Sequence, residues 1–227
     1  MSIAVPLIIL VVLVCGAGIA YLLHKKEKAR QEAWRVWANS RGWSYSPDKD
    51  SGTADWFSFV NRLRKGSHRY AKDVMKGVWN ERPIVAFSYH YETYSTNSEG
   101  RRQTNHHWLS VVAVQFTDSG SFPELTIAPE NFLRRFGNVF TGSDIDFESI
   151  EFSKAYEVKS DSKKFAYDFC HTGMIEYLLK SPGTSFELEG QWIADIHTSK
   201  LHLPSVEPRL QHLSNISNLM PAFMFRS

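Results

Sequence analysis

The chain has 227 residues, with 26 Lys and Arg against 24 Asp and Glu, a net charge of +2 at pH 7, and two cysteines. Two cysteines exclude a disulfide scaffold, and a near-balanced charge whose basic excess lies in one short stretch excludes a nucleic-acid face. That stretch, residues 24–41, holds six Lys or Arg and two Glu, so the remainder of the chain is net acidic.

Ile3 to Leu23 is an unbroken apolar run that stops at His24-Lys25-Lys26-Glu27-Lys28-Ala29-Arg30. At roughly 1.5 Å per residue it makes about 31 Å of helix, close to the roughly 30 Å of a bilayer core, and predicts one transmembrane crossing. Pro6 suits the first turn, and Tyr21 the interfacial depth. No Lys or Arg precedes the run, whereas Lys25, Lys26, Lys28 and Arg30 follow it, which predicts a plasma-membrane signal anchor with its N-terminus outside and its domain cytoplasmic. A cleaved signal peptide would carry its positive charge first and a core of roughly 7–15 residues, the reverse of this arrangement. With Cys15 in that run and Cys170 far away, no intrachain disulfide is expected, in agreement with a reducing compartment. Lys25, Lys26, Lys28 and Arg30 are the candidate membrane-surface residues, since such side chains attract anionic headgroups. Gly16 and Ala20, four apart, offer a small-residue face for pairing with a second copy.

Ala33, Trp34, Val36, Trp37 and Ala38 continue a helical period until Arg41-Gly42, so a basic juxtamembrane helix or stalk is expected over 24–42. The chain from Trp43 onward is rich in aromatics and is long enough for one domain, 43–227, with a substantial core.

Tyr70 to Trp79 alternates as a strand, Asn80-Glu81-Arg82-Pro83 reads as a turn, and Ile84 to Tyr94 as a second strand. The third, His106 to Phe116, is apolar on both faces through Val111 to Val114 and belongs in the middle of an antiparallel sheet. Face composition favours a hairpin with Tyr91 opposite Trp108, and Tyr89, Phe87 and Val85 opposite Ser110, Val112 and Val114. That register gathers His90, Glu92 and His107 on the other face, two imidazoles and a carboxylate able to hold a divalent metal or share a proton. It leaves His106 pointing away, because successive strand side chains alternate. The competing reading is a solvated sheet face.

Leu125 to Ala128 is a short strand candidate, and Pro129 suits the start of a helix with Phe132 and Phe136 inward and Gly137 as its stop. Asp144, Asp146, Glu148 and Glu151 alternate as in part of a calcium loop, but the required glycine and terminal glutamate are absent, which favours a solvated turn.

By this point the order of features is informative: a leading apolar helix, Arg41-Gly42-Trp43, Val85-Ala86-Phe87-Ser88-Tyr89, Tyr91-Glu92-Thr93, and Asp144-Ile145-Asp146-Phe147-Glu148-Ser149. Phe152, Tyr156-Glu157-Val158, Ala166-Tyr167-Asp168 and Met174 follow in turn. This order resembles a family of uncharacterised single-pass membrane proteins from actinobacteria, over most of the chain. The resemblance implies a membrane anchor with one soluble domain, and no activity or site residues. Cys170-His171-Thr172-Gly173 departs from the more basic, proline-containing stretch of that family.

A long helix is predicted from about Ser162 to Lys180, with Phe165, Phe169, Gly173 or Met174, and Tyr177 or Leu178 as its stripe and Ser181-Pro182-Gly183 as terminator. Cys170 falls on that stripe as a structural thiol, and His171 beside it points about 100° away, which argues against a nucleophile and base. Phe186 to Ile196 reads as a hairpin around Glu189-Gly190-Gln191. From about Val206 a final amphipathic helix turns Leu210, Leu213, Ile216 and Met220 inward before Pro221, and the apolar tail Ala222 to Phe225 is expected to pack on the domain, the alternative being contact with lipid.

The expected fold class is α+β, with one N-terminal transmembrane helix (1–23) followed by an antiparallel sheet packed by a long helix and a C-terminal helix. No phosphate-cradling loop, dinucleotide fingerprint, paired CxxC, HExxH helix or GxSxG elbow occurs, so no cofactor is implied. The expected function is a membrane-anchored, cytoplasm-facing interaction or regulatory module; the alternative is a membrane-associated metal-dependent hydrolase using the His/Glu cluster. Expected partners are the lipid bilayer and a protein partner or second copy, and not nucleic acid.

Overall fold

The computed structural model describes residues 4–117, 120–129, 132 and 143–225, with side chains before Leu13 described only at Ile9. The chain divides into two compact units, residues 1–45 and 46–227.

The first unit is dominated by the helix α1 (Ala4–Asn39). Past its end Gly42 adopts φ +70°, a left-handed conformation open to glycine, and this lets the Trp43 N–H reach the Ala38 carbonyl at 3.0 Å. Trp43 meets Trp37 edge to face at 5.4 Å, and the Arg41 guanidinium lies 3.9 Å from the Trp37 ring. Among the described residues no helix is long and apolar enough to cross a membrane. The transmembrane, single-pass signal-anchor reading of Ile3 to Leu23 is therefore corrected. From His24 the same helix runs on through charged residues.

A short strand, β1 (Ser44–Ser46), spans the sequence boundary between the units. Within the second unit, Asp50 caps α2 (Ser51–Trp56), accepting from the Thr53 N–H at 2.9 Å and the Thr53 hydroxyl at 2.6 Å. Two 3-10 turns, Phe57–Phe59 and Asn61–Arg64, follow. Then come β2 (Ser67–Trp79), β3 (Arg82–Thr96), β4 (Arg102–Gln115), β5 (Phe122–Ala128) and the two-residue β6 (Ser143–Asp144). After α3 (Ile150–Ala155) come β7 (Glu157–Ser160), α4 (Lys163–Phe169) and α5 (Thr172–Leu179). The hairpin β8 (Phe186–Gly190) and β9 (Trp192–His197) precedes α6 (Val206–Leu219). The helix expected after Pro129 lies outside the described residues.

The strands of this unit pair antiparallel in the order β2-β3-β4-β9-β8-β5-β7-β6. Asn80 and Glu81, at φ +48° and +66°, form the two-residue turn from β2 to β3, a conformation that matches the strand twist. One sheet face carries Val85, Phe87, Tyr89, Tyr91, Leu109, Val111, Ala113, Ala194 and Ile196, and is covered by Ala54, Phe57, Val60 and Leu63. The Tyr89 hydroxyl donates to the Leu63 carbonyl. On the opposite face α6 buries Val206, Leu210, Leu213 and Ile216.

The single long helix expected over Ser162 to Lys180 is two helices. Cys170 ends α4, and His171 caps α5 by accepting from the Gly173 N–H at 3.2 Å while its Nε2 lies 2.8 Å from the Leu219 carbonyl. A tertiary anchor on His171 thus overrides local periodicity. In the tail, Phe225 packs on Phe116 and Phe122 at 5.6 and 5.7 Å, while Phe223 is exposed.

Candidate functional site

The histidine cluster sits toward the loop end of the β3–β4 hairpin, and the register decides its membership. Tyr91 stands opposite His107, His90 opposite Trp108, and Glu92 opposite His106. This is one residue away from the expected pairing of Tyr91 with Trp108, and because side chains alternate, that slip exchanges neighbours. His106 joins His90 and Glu92, while His107 leaves.

His90 Nε2 lies 3.1 Å from His106 Nδ1, and His106 Nδ1 lies 3.5 Å from Glu92 Oε1. One donor atom from each of the three falls within 4.8 Å of the others, a convergence suited to a metal ion. The His90 ring is buried, stacked on Tyr70 at 4.5 Å with Trp108 edge-on at 4.9 Å. His90 Nδ1 lies 3.3 Å from the His68 carbonyl; assigning the proton to Nδ1 makes that a hydrogen bond and leaves Nε2 as the lone-pair donor. Burial lowers the His90 pKa, partly opposed by that carbonyl contact.

The strand β2 contributes a residue that sequence reasoning missed. Its register against β3 shifts between Ser67 and Tyr70, and in this bulge His68 takes φ +49°. The bulge re-aims His68 so that Nδ1 stands 3.0 Å from Glu92 Oε2, with the Tyr94 hydroxyl 3.0 Å from the same nitrogen and 3.3 Å from Oε2. Bulges leave only weak sequence signals.

His107, on the other face, stacks on Tyr91 at 4.7 Å and has Nε2 2.7 Å from Thr93 Oγ1. It borders a cavity of ≈ 380 Å³ with Lys65, Leu109 and Thr198, and burial, then Lys65, depresses its pKa.

The membrane-surface candidates also divide. Lys25, Lys26 and Lys28 are exposed, but Arg30 donates to both oxygens of Glu27, at 2.9 and 2.7 Å, and lies 4.7 Å from the Trp34 ring. Immediately before them Leu13, Val14, Ile19, Leu22 and Leu23 are each 60–65% exposed.

Of the remaining sequence candidates, Cys170 is buried, which pushes its thiol pKa well up and keeps it unreactive. Asp144, Asp146, Glu148 and Glu151 are exposed, with Asp144 3.4 Å from Lys159 Nζ.

No family model and no curated protein matches the chain. Among solved structures it is similar to the crystal structure of the mycobacterial trehalose monomycolate transport factor A, TtfA. The TM-score is 0.52, the identity 13%, and the match covers 85% of this chain and 95% of that one. At that identity the likeness is one of fold.

Proposed function

We propose that the chain is a membrane-associated interaction module, in which residues 13–30 hold an anionic lipid surface and the sheet domain works by contact rather than by a reaction. The observation that carries this reading is the continuous exposure of Leu13, Val14, Ile19, Leu22 and Leu23 directly before the exposed Lys25, Lys26 and Lys28. Exposed apolar side chains packed so closely call for a covering partner, and adjacent lysines select a negatively charged one. Lysines beside an apolar segment favour the cytoplasmic leaflet, where anionic lipids reside. The fold likeness to a protein named as a transport factor supports a contact role.

Magnitudes separate the two contributions. Ile19, Leu22 and Leu23 share one helix face, and covering them stabilises by about 6 kcal/mol, at about 2 kcal/mol each. Three lysines near an anionic surface add about 3 kcal/mol. The apolar part therefore decides whether the chain binds, and the lysines decide which lipid.

Sedimentation of the full chain with neutral or anionic phospholipid vesicles tests this. Replacing Lys25, Lys26 and Lys28 together by Ala is expected to weaken binding to anionic vesicles about 100-fold at low salt and to leave neutral vesicles unaffected. Leu22→Asp with Leu23→Asp should release the chain from both. A chain that stays in the supernatant with both vesicle types, or that covers the apolar segment by pairing with a second copy, defeats the reading.

A further inference from the structure

We propose that His90, Glu92 and His106 form a site for one divalent transition-metal ion of the zinc type, with His68 holding the Glu92 carboxylate in position. This goes beyond the lipid-binding reading and uses none of its residues.

Zinc bonds to nitrogen and carboxylate oxygen are about 2.0–2.2 Å, so neighbouring ligand atoms in a tetrahedron stand about 3.4 Å apart. Two of the three separations already match: 3.1 Å from His90 Nε2 to His106 Nδ1, and 3.5 Å from His106 Nδ1 to Glu92 Oε1. All donors lie within 4.8 Å of one another, so the third separation needs only a small turn of Glu92, whose side chain is 18% exposed.

The supports of the site are those a metal histidine requires. With its Nδ1 proton assigned toward the His68 carbonyl, 3.3 Å away, His90 presents Nε2 to the cluster, and Tyr70 and Trp108 fix its ring. His68 Nδ1 and the Tyr94 hydroxyl engage Glu92 Oε2 and leave Oε1 toward His106. Two imidazoles with one carboxylate suit zinc and its neighbours in the first transition row, whereas calcium and magnesium require more oxygen ligands. The fourth position lies toward solvent, since the His106 side chain is 60% exposed.

The same contacts would arise in a simple hydrogen-bonded His-His-Glu network, and the test separates the two. Full-length chain stripped with a chelator is titrated with zinc chloride by calorimetry and with cobalt(II) by absorption. One ion per chain with micromolar or tighter affinity and a tetrahedral cobalt spectrum is expected. His106→Ala and Glu92→Gln, at sites that leave the core intact, should each weaken zinc by more than the tenfold to hundredfold that loss of a supporting partner costs, and His68→Ala by roughly tenfold. His107→Ala, on the opposite face, should bind as wild type does. Saturating zinc should also raise the melting temperature by roughly 5 °C in wild type and not in His106→Ala. Failure of the wild type to take up zinc, or an equal loss in His107→Ala and His106→Ala, overturns the proposal.

Discussion

Each face of the sheet buries an arginine against a carboxylate, and the two pairs have unlike surroundings. On the face covered by α6, Arg209 Nη2 lies 3.0 Å from Asp195 Oδ1 and donates to the Asp195 and Ser110 carbonyls, while Nη1 donates to Ser110 Oγ at 2.9 Å. His197 Nε2 adds a contact of 2.9 Å to the same carboxylate. Burial opposes ionisation of Asp195, yet Arg209 and His197 together hold its pKa below the ordinary value. On the other face Arg62 donates to Glu187 and to the Ser185 hydroxyl. Near that pair stand further acids: Glu124, bound by the Asn61 amide, and Glu189, whose pKa is pushed up to about 7 by burial and then by Glu124. On one face the ion pair holds its carboxylate ionised, whereas on the other burial and the neighbouring Glu124 carboxylate favour the protonated form of Glu189.

Substitutions can break this contrast. Asp195→Asn leaves Arg209 buried without a counter-charge and should cost about 3–5 kcal/mol in urea unfolding. Glu187→Gln strands Arg62 in the same way, but neighbouring carboxylates soften the loss, so about 2 kcal/mol is expected; equal losses at the two positions would make the faces equivalent. The smallest effect sharpens the comparison most. Because the folded pKa of Glu189 lies above its ordinary 4.5, the stability linked to it is fully present below pH 4.5 and is lost as pH rises through about 7. Glu189→Gln should therefore exceed wild type by about 1 kcal/mol at pH 8, a figure discounted for partial exposure, and lose that advantage at pH 4.

Much of the domain was legible in its residues, because alternation and turn chemistry are local. Tyr70 to Trp79, the turn at Asn80 and Glu81, and the strand from Ile84 onward were readable for that reason. The hairpin parity was not. Face composition favoured Tyr91 opposite Trp108, but β4 is apolar on both faces, and the structure pairs Tyr91 with His107 instead. The error moved His106 and His107 across the sheet, while His90 and Glu92 remained together because both lie on one strand. Neither buried arginine was foreseeable either: Arg62 and Glu187 are 125 residues apart, and only folding joins them. The split between α4 and α5 came from His171 reaching Leu219, again a long-range contact.

The charge on the edge strand β6 has a consequence for behaviour at high concentration. A sheet invites a stranger to zip onto it wherever its rim is long and flat, because the unpaired amides there form a template. At this rim the described residues are Ser143 and Asp144, both exposed, and Asp144 is drawn to Lys159, so the edge carries a charge of the kind that blunts such pairing. An extended peptide approaching this edge meets the Asp144 carboxylate first, so edge-to-edge growth from β6 is disfavoured.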